Sequence, residues 1–234
     1  MKPTADRLPL EQGLFGRLRR DAGTAWEGYV RHPFVLALGA GTLARPAFQH
    51  YLKQDYLFLI QFARAYALAG YKSATLRELR AASASVAAIV DVEMPLHVSY
   101  CAEWGLSEAD MAAEPEALET VAYTRFVLER GHAGDRLDLE AALVPCIVGY
   151  AEVAERLIAD PATGRVGNPY AAWIDAYAGA DYRAVALAAI ENLDRLGATR
   201  GAEARYPDLL ATFTAATRLE AAFWDMGWAV RAGT

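Results

Sequence analysis

Apolar side chains recur three and four residues apart along almost the whole chain. Between Phe48 and Tyr71 the positions Tyr51, Phe58, Phe62 and Tyr66 keep this spacing while Lys53 and Arg64 fall between them, the pattern of a helix with one apolar face. The same period predicts helices over about 10–29, 74–104, 116–131, 138–159, 180–197 and 206–230, with a short one near 169–177. Turn chemistry marks breaks at His32-Pro33, Gly39 to Gly41, Gly131 to Asp135, the Pro161 to Pro169 loop and Gly197 to Gly201. Period-two alternation is nowhere long enough to predict a strand, and Ala-rich runs such as Ala81 to Ala88 favour helix by propensity. The expected fold is an all-α bundle in a single domain, without internal repeats or a linker.

Pro46 suits the first turn of its helix, whereas Pro95 and Pro145 fall inside predicted helices. There a proline lacks the N–H and clashes with the preceding turn, at a cost of about 3 kcal/mol. Either a tolerated kink or a functional break explains such a position.

Composition narrows the function classes. With 234 residues, 54% hydrophobic and 22% charged, the chain is long and apolar enough for a sizeable core. Its 23 Lys and Arg against 29 Asp and Glu give a net charge of −6, and no basic cluster exceeds Arg17, Arg19 and Arg20. A nucleic-acid binder needs a basic footprint, so no nucleic-acid partner is expected. Met1 to Leu10 is charged and proline-bearing where a signal peptide needs an apolar run, and no stretch of 18 residues is free of charged or polar breaks. The expectation is a cytoplasmic protein with no membrane partner. Two cysteines, Cys101 and Cys146, make no disulfide framework and are expected as free thiols.

Three local patterns carry candidate chemistry. In Pro145-Cys146-Ile147-Val148-Gly149-Tyr150, the thiol and the phenol are four apart and project from one helix face. Cys146 there is either a small buried hydrophobe or a nucleophile. In Gln54-Asp55-Tyr56-Leu57-Phe58, Asp55 shares a face with Phe58 and Phe62, so it either points to solvent or is a buried acceptor that needs a partner. In the last helix, Glu220 lies on one stripe with Phe223 and Trp224. It is either a surface ion-pair member or a desolvated carboxyl whose raised pKa suits proton transfer. Glu93 and His97 have the spacing of a helical metal-ligand pair, but no Glu-x-x-His unit of the di-iron type occurs, and His32 and His132 stand at turns. Phosphate-binding glycine motifs are absent as well.

Taken together, these runs resemble the TenA family, the thiaminase II or aminopyrimidine aminohydrolase enzymes. The matching segments are His32-Pro33-Phe34-Val35, Gln54-Asp55, Glu93-Met94-Pro95-Leu96-His97, Leu143-Val144-Pro145-Cys146 with Tyr150, Trp173-Ile174 with Tyr177, and Glu220 with Phe223-Trp224, spread over about residues 14 to 230. The resemblance implies a heme-oxygenase-like helical bundle and a pocket for a 4-amino-2-methylpyrimidine, either aminomethyl-pyrimidine or thiamin. It implies Cys146 as nucleophile, Asp55 at the amino edge of the ring, Glu220 at the ring nitrogen, Tyr123, Tyr150 and Tyr177 as pocket tyrosines, and Phe223 stacking on the ring. Phe58 stands where many members carry Tyr, and it is expected to cover the pyrimidine opposite Phe223. The resemblance further implies no metal or organic cofactor and a homo-oligomer, a tetramer by family habit. Two rival readings are a non-catalytic pyrimidine-binding or regulatory protein and a heme-handling protein of the same fold, the latter ill served by His32 beside Pro33.

Overall fold

The computed structural model describes residues 7–230; residues 1–6 of the charged N-terminal stretch lie outside the described residues. In chain order the helices are α1 (Gly13–Ala22), α2 (Thr24–Val30), α3 (Pro33–Ala40), α4 (Arg45–Tyr71), α5 (Leu76–Ala87), α6 (Met94–Glu103), α7 (Glu108–Ala113), α8 (Leu118–Ala133), α9 (Arg136–Ala159), α10 (Ala171–Ala178), α11 (Ala180–Thr199) and α12 (Tyr206–Ala229). No strand occurs among the described residues, as the missing period-two alternation predicts.

Several boundaries differ from the sequence expectation for identifiable reasons. The helix expected over 10–29 breaks at Gly23, whose φ of 52° ends α1 and opens α2. His32-Pro33, expected as a break, instead starts α3. The His32 Nδ1 accepts from the Phe34 N–H at 3.2 Å, and Pro33 occupies the first turn, where its missing N–H costs nothing. Helix α7 was not expected, although Ser107 and Asp110 form a reciprocal capping box at its start. The helix expected over 74–104 contains one turn of π-helix, Ala88–Glu93, directly before Met94-Pro95. A wide turn of this kind accommodates the proline that an uninterrupted α-helix would reject.

The chain forms two compact units. Unit one takes the chain up to Thr42 together with Glu140–Ala221, and unit two takes Leu43–Leu139 with the chain from Ala222 onward. In unit one, the rings of Phe15, Trp26 and Phe213 pack together, Trp26 stacking on Phe213 at 5.4 Å. Beside them the buried Glu152 carboxylate receives both Arg19 nitrogens at 2.8 and 2.7 Å, the Trp26 indole N–H at 2.9 Å and the Arg156 Nε–H at 2.8 Å. Burial acts to raise the Glu152 pKa, but the two guanidinium groups outweigh it and hold the carboxyl below its ordinary range. In unit two, α4 is the central element, packed by α5, α6, α7 and α8. Gln54, wholly buried, fixes α4 to the start of α8. Its oxygen accepts from the Ala117 N–H and the Thr120 hydroxyl, and its amide donates to the Pro115 carbonyl.

The run Leu76–Glu103 is long and apolar enough to cross a membrane by length and composition, with a mean hydropathy of 1.3 in a window that is 17% buried. It is interrupted by Asp91, Glu93, Pro95 and His97, and the last of these docks on α4.

Candidate functional site

In unit two, Asp55 lies near the middle of α4 and is only 7% exposed, so the solvent-facing alternative is excluded. One turn on, Phe58 contacts Phe62 at 5.3 Å, Tyr123 of α8 at 5.1 Å and Phe223 of α12 at 5.8 Å between ring centroids. The structure thus brings Asp55, Phe58, Tyr123 and Phe223 into one unit, with the rings meeting at Phe58. Phe58 and Phe223 incline at 59°.

The Asp55 carboxyl of α4 has a neighbour that the sequence suggested only as half of a metal pair. The His97 Nδ1 stands 3.5 Å from Asp55 Oδ2, and the His97 Nε2 lies 2.9 Å from the Leu52 carbonyl oxygen. Burial pushes the Asp55 carboxyl up to about 7, and Glu93 is likewise pushed up to about 7 by burial and by Asp55. Burial lowers the His97 pKa. Cys101, fully buried on the same helix, has its thiol pushed up to about 12 by burial and by Asp55. Among the described residues, no group of three or more His, Cys, Asp or Glu side chains is arranged to hold a metal ion.

In unit one, Cys146 differs from Cys101 in keeping part of its surface exposed. Access of this kind is what a reacting thiol requires and an inert core cysteine lacks. Pro145 does sit inside α9, and Gly149 is explained by contact. A Cβ at Gly149 would lie 2.1 Å from the Tyr29 ring, so only glycine lets that ring lie against the helix one turn after Pro145. Tyr150 then meets Tyr177 at 4.9 Å and Trp173 at 5.8 Å. Glu220 is 2% exposed, which excludes the surface ion-pair reading.

The chain is similar to several known proteins. A solved structure from Silicibacter sp. TM1040, described as a TenA family transcription regulator, is 48% identical, covers 92% of this chain and 96% of its own, and superposes with a TM-score of 0.86. An uncharacterized protein of Haemophilus influenzae is 38% identical over 92% of this chain and 98% of its own length. An aminopyrimidine aminohydrolase of Halalkalibacterium halodurans is 36% identical over 90% of this chain and 93% of its own. A heme oxygenase-like domain from Shewanella denitrificans shares the fold, with a TM-score of 0.72 at 15% identity and 91% of each chain covered. The model of the TENA/THI-4/PQQC family matches residues 19–229, and the chain belongs to that family.

Proposed function

We propose that the protein is a hydrolase of thiamin salvage, with one TenA-like domain over about residues 14 to 230, that converts 4-amino-5-aminomethyl-2-methylpyrimidine, thiamin or both to hydroxymethylpyrimidine. The observation that carries this reading is the partly exposed Cys146 in a chain that matches the family throughout 19–229. Relatives named aminopyrimidine aminohydrolase, at 36% and 29% identity over most of the chain, support the reaction class.

An aminopyrimidine resists attack until its ring nitrogen is protonated, so the reaction needs an acid and a nucleophile. Glu220 protonates the ring nitrogen as the Cys146 thiolate adds to the adjacent ring carbon. The exocyclic methylene then expels its amine or thiazole, and water adds to the methylene. The thiolate leaves as Glu220 recovers its proton. For the aminomethyl substrate the sum is pyrimidine-CH2-NH2 plus water giving pyrimidine-CH2-OH plus ammonia. Asp55 binds the amino edge of the ring. Phe58, Tyr123, Tyr150, Tyr177 and Phe223 supply aromatic surface, and the chemistry needs no cofactor. Chromatographic detection of hydroxymethylpyrimidine from each substrate tests the assignment, and a protein that releases it from neither is not this hydrolase.

The description of the Silicibacter relative favours a second reading, a regulatory pyrimidine binder. The net charge of −6 and the lack of a basic cluster weigh against a nucleic-acid target. Pyrimidine binding without turnover is its signature. A cytoplasmic homo-oligomer, a tetramer by family resemblance, is part of the same proposal. It is supported by the exposed Leu79, Val90, Val92 and Leu96 along one apolar run. Light scattering on the purified protein reads the mass.

A further inference from the structure

A backbone carbonyl can only accept, so the 2.9 Å approach of the His97 Nε2 to the Leu52 oxygen fixes that nitrogen as N–H. The other ring nitrogen then faces Asp55 Oδ2 at 3.5 Å. If it bore no proton and the carboxyl were ionised, two acceptors would confront each other in a buried place. One proton held between them removes the conflict, whichever atom carries it. We propose that His97 is a positioning residue for Asp55: tethered to Leu52 through Nε2–H, it shares one proton between Nδ1 and Asp55 Oδ2 and so holds the carboxyl in one orientation, leaving Oδ1 for the amino edge of an aminopyrimidine.

The surroundings agree with that assignment. The side chains of Asp55 and His97 are 10% and 8% exposed, so water does little to screen or replace the contact. The separation of 3.5 Å is longer than a charge-assisted hydrogen bond, and a bound amino group that draws Asp55 into register would shorten it. Other titratable groups on elements packed against α4 include Glu93 of the π turn, whose ionisation is opposed by Asp55, and Cys101 of α6, whose thiol, pushed up to about 12, stays neutral near pH 7 and adds no charge. Glu78 of α5 accepts from the Ala74 N–H, Glu108 of α7 accepts from the Tyr56 hydroxyl, and the Tyr123 ring of α8 lies tilted against Phe58. The 93–97 motif, read in sequence as a metal pair that lacks its companions, thereby gains a role.

The inference rests on Asp55 being the pyrimidine contact, and the test separates the two. In the full chain labelled with 15N-histidine and free of ligand, the His97 signals are assigned by their loss in His97→Gln. Expected are a protonated Nε2 and an Nδ1 shift that titrates near neutral pH in wild type and loses that step in Asp55→Asn. An Nδ1–H tautomer, or an Nδ1 titration unchanged by Asp55→Asn, overturns the proton-sharing pair whatever the protein binds. Calorimetry with hydroxymethylpyrimidine then reads positioning. The Gln side chain can keep the Leu52 tether but offers nothing at Nδ1, so binding should weaken by roughly tenfold and lose its pH dependence near 7. Wild-type affinity and pH profile in His97→Gln, with Asp55→Asn weakened, overturn the positioning role and leave the functional reading standing. No pyrimidine binding by wild type overturns the functional reading and the positioning role together, while the spectra still decide the pair.

Discussion

Phe58 and Phe223 stand 5.8 Å apart between ring centroids with their planes inclined at 59°. Tyr123 meets Phe58 at 5.1 Å to form a corner with them, and on the proposed reading the pyrimidine ring stacks against it. Phe58→Leu keeps most of the volume and removes the π face. Aromatic pairs are worth about 0.5 to 1.5 kcal/mol beyond area burial, so affinity for hydroxymethylpyrimidine should fall roughly threefold to tenfold. Phe58→Tyr should change kcat by less than about tenfold, because stacking survives and only a hydroxyl is added. Unaltered pyrimidine affinity in Phe58→Leu means this side chain does not touch the ligand.

Asp55 and Glu93 make stability depend on pH with a defined sign. Both titrate at about 7 in the folded chain, against ordinary values of 3.8 and 4.5. Between those limits the folded protein holds protons that the unfolded chain releases, so stability is greatest below the ordinary values and is lost as pH rises through 7. His97, with its lowered pKa, acts in the opposite direction below 6.5, and losing the Asp55 carboxylate beside it deepens that penalty at acid pH, which widens the same trend. Asp55→Asn should therefore gain stability relative to wild type, and gain more at pH 8 than at pH 5. Urea unfolding at the two pH values measures this; a difference between variant and wild type that does not grow with pH contradicts the buried neutral carboxyl. Asp55→Ala should in addition weaken pyrimidine binding, at a cost of about 1 to 3 kcal/mol for an unpaired donor.

These relationships were legible in the sequence to different depths. Apolar periodicity sufficed for the all-α class and for the long helices, but it left Asp55 and Glu220 open between solvent and core, which their burial decides. It did not distinguish Gln54 from Asp55, although the first fixes α4 to the start of α8 and the second faces His97. Nor did it separate Cys101 from Cys146, since both sit on apolar helices and only packing leaves one residue partly exposed. The capping box of Ser107 and Asp110 was readable and marks α7; the π turn before Pro95 was not, because the widening of a helix to admit a proline is decided by what packs on it.

Gly149 ties the Cys146 segment to unit one. A methyl group there would enter the Tyr29 ring, and neither the helix backbone nor the buried ring can give way by so much. Gly149→Ala should lower stability by about 1 to 3 kcal/mol, the usual cost of overpacking a core. Thermal unfolding reads it, and a midpoint equal to wild type would show that Tyr29 has room to turn.

Glu220→Gln keeps the shape of a buried side chain and removes its proton. General acid–base groups contribute about 10²- to 10⁴-fold, so kcat should fall by that order while affinity for the pyrimidine product changes little. A fall of less than tenfold, or an alkaline limb of the pH profile that stays in place, means another group protonates the ring.

The central claim is that the Cys146 thiolate adds to the substrate ring, and turnover of aminomethyl-pyrimidine by Cys146→Ser, beside Cys101→Ser as control, tests it most directly. A hydroxyl is a far weaker nucleophile than a thiol near neutral pH. The Cys146 variant should keep its fold by circular dichroism and lose nearly all turnover, while the control retains it. Near-wild-type turnover by a folded Cys146→Ser protein would contradict nucleophilic addition by this residue.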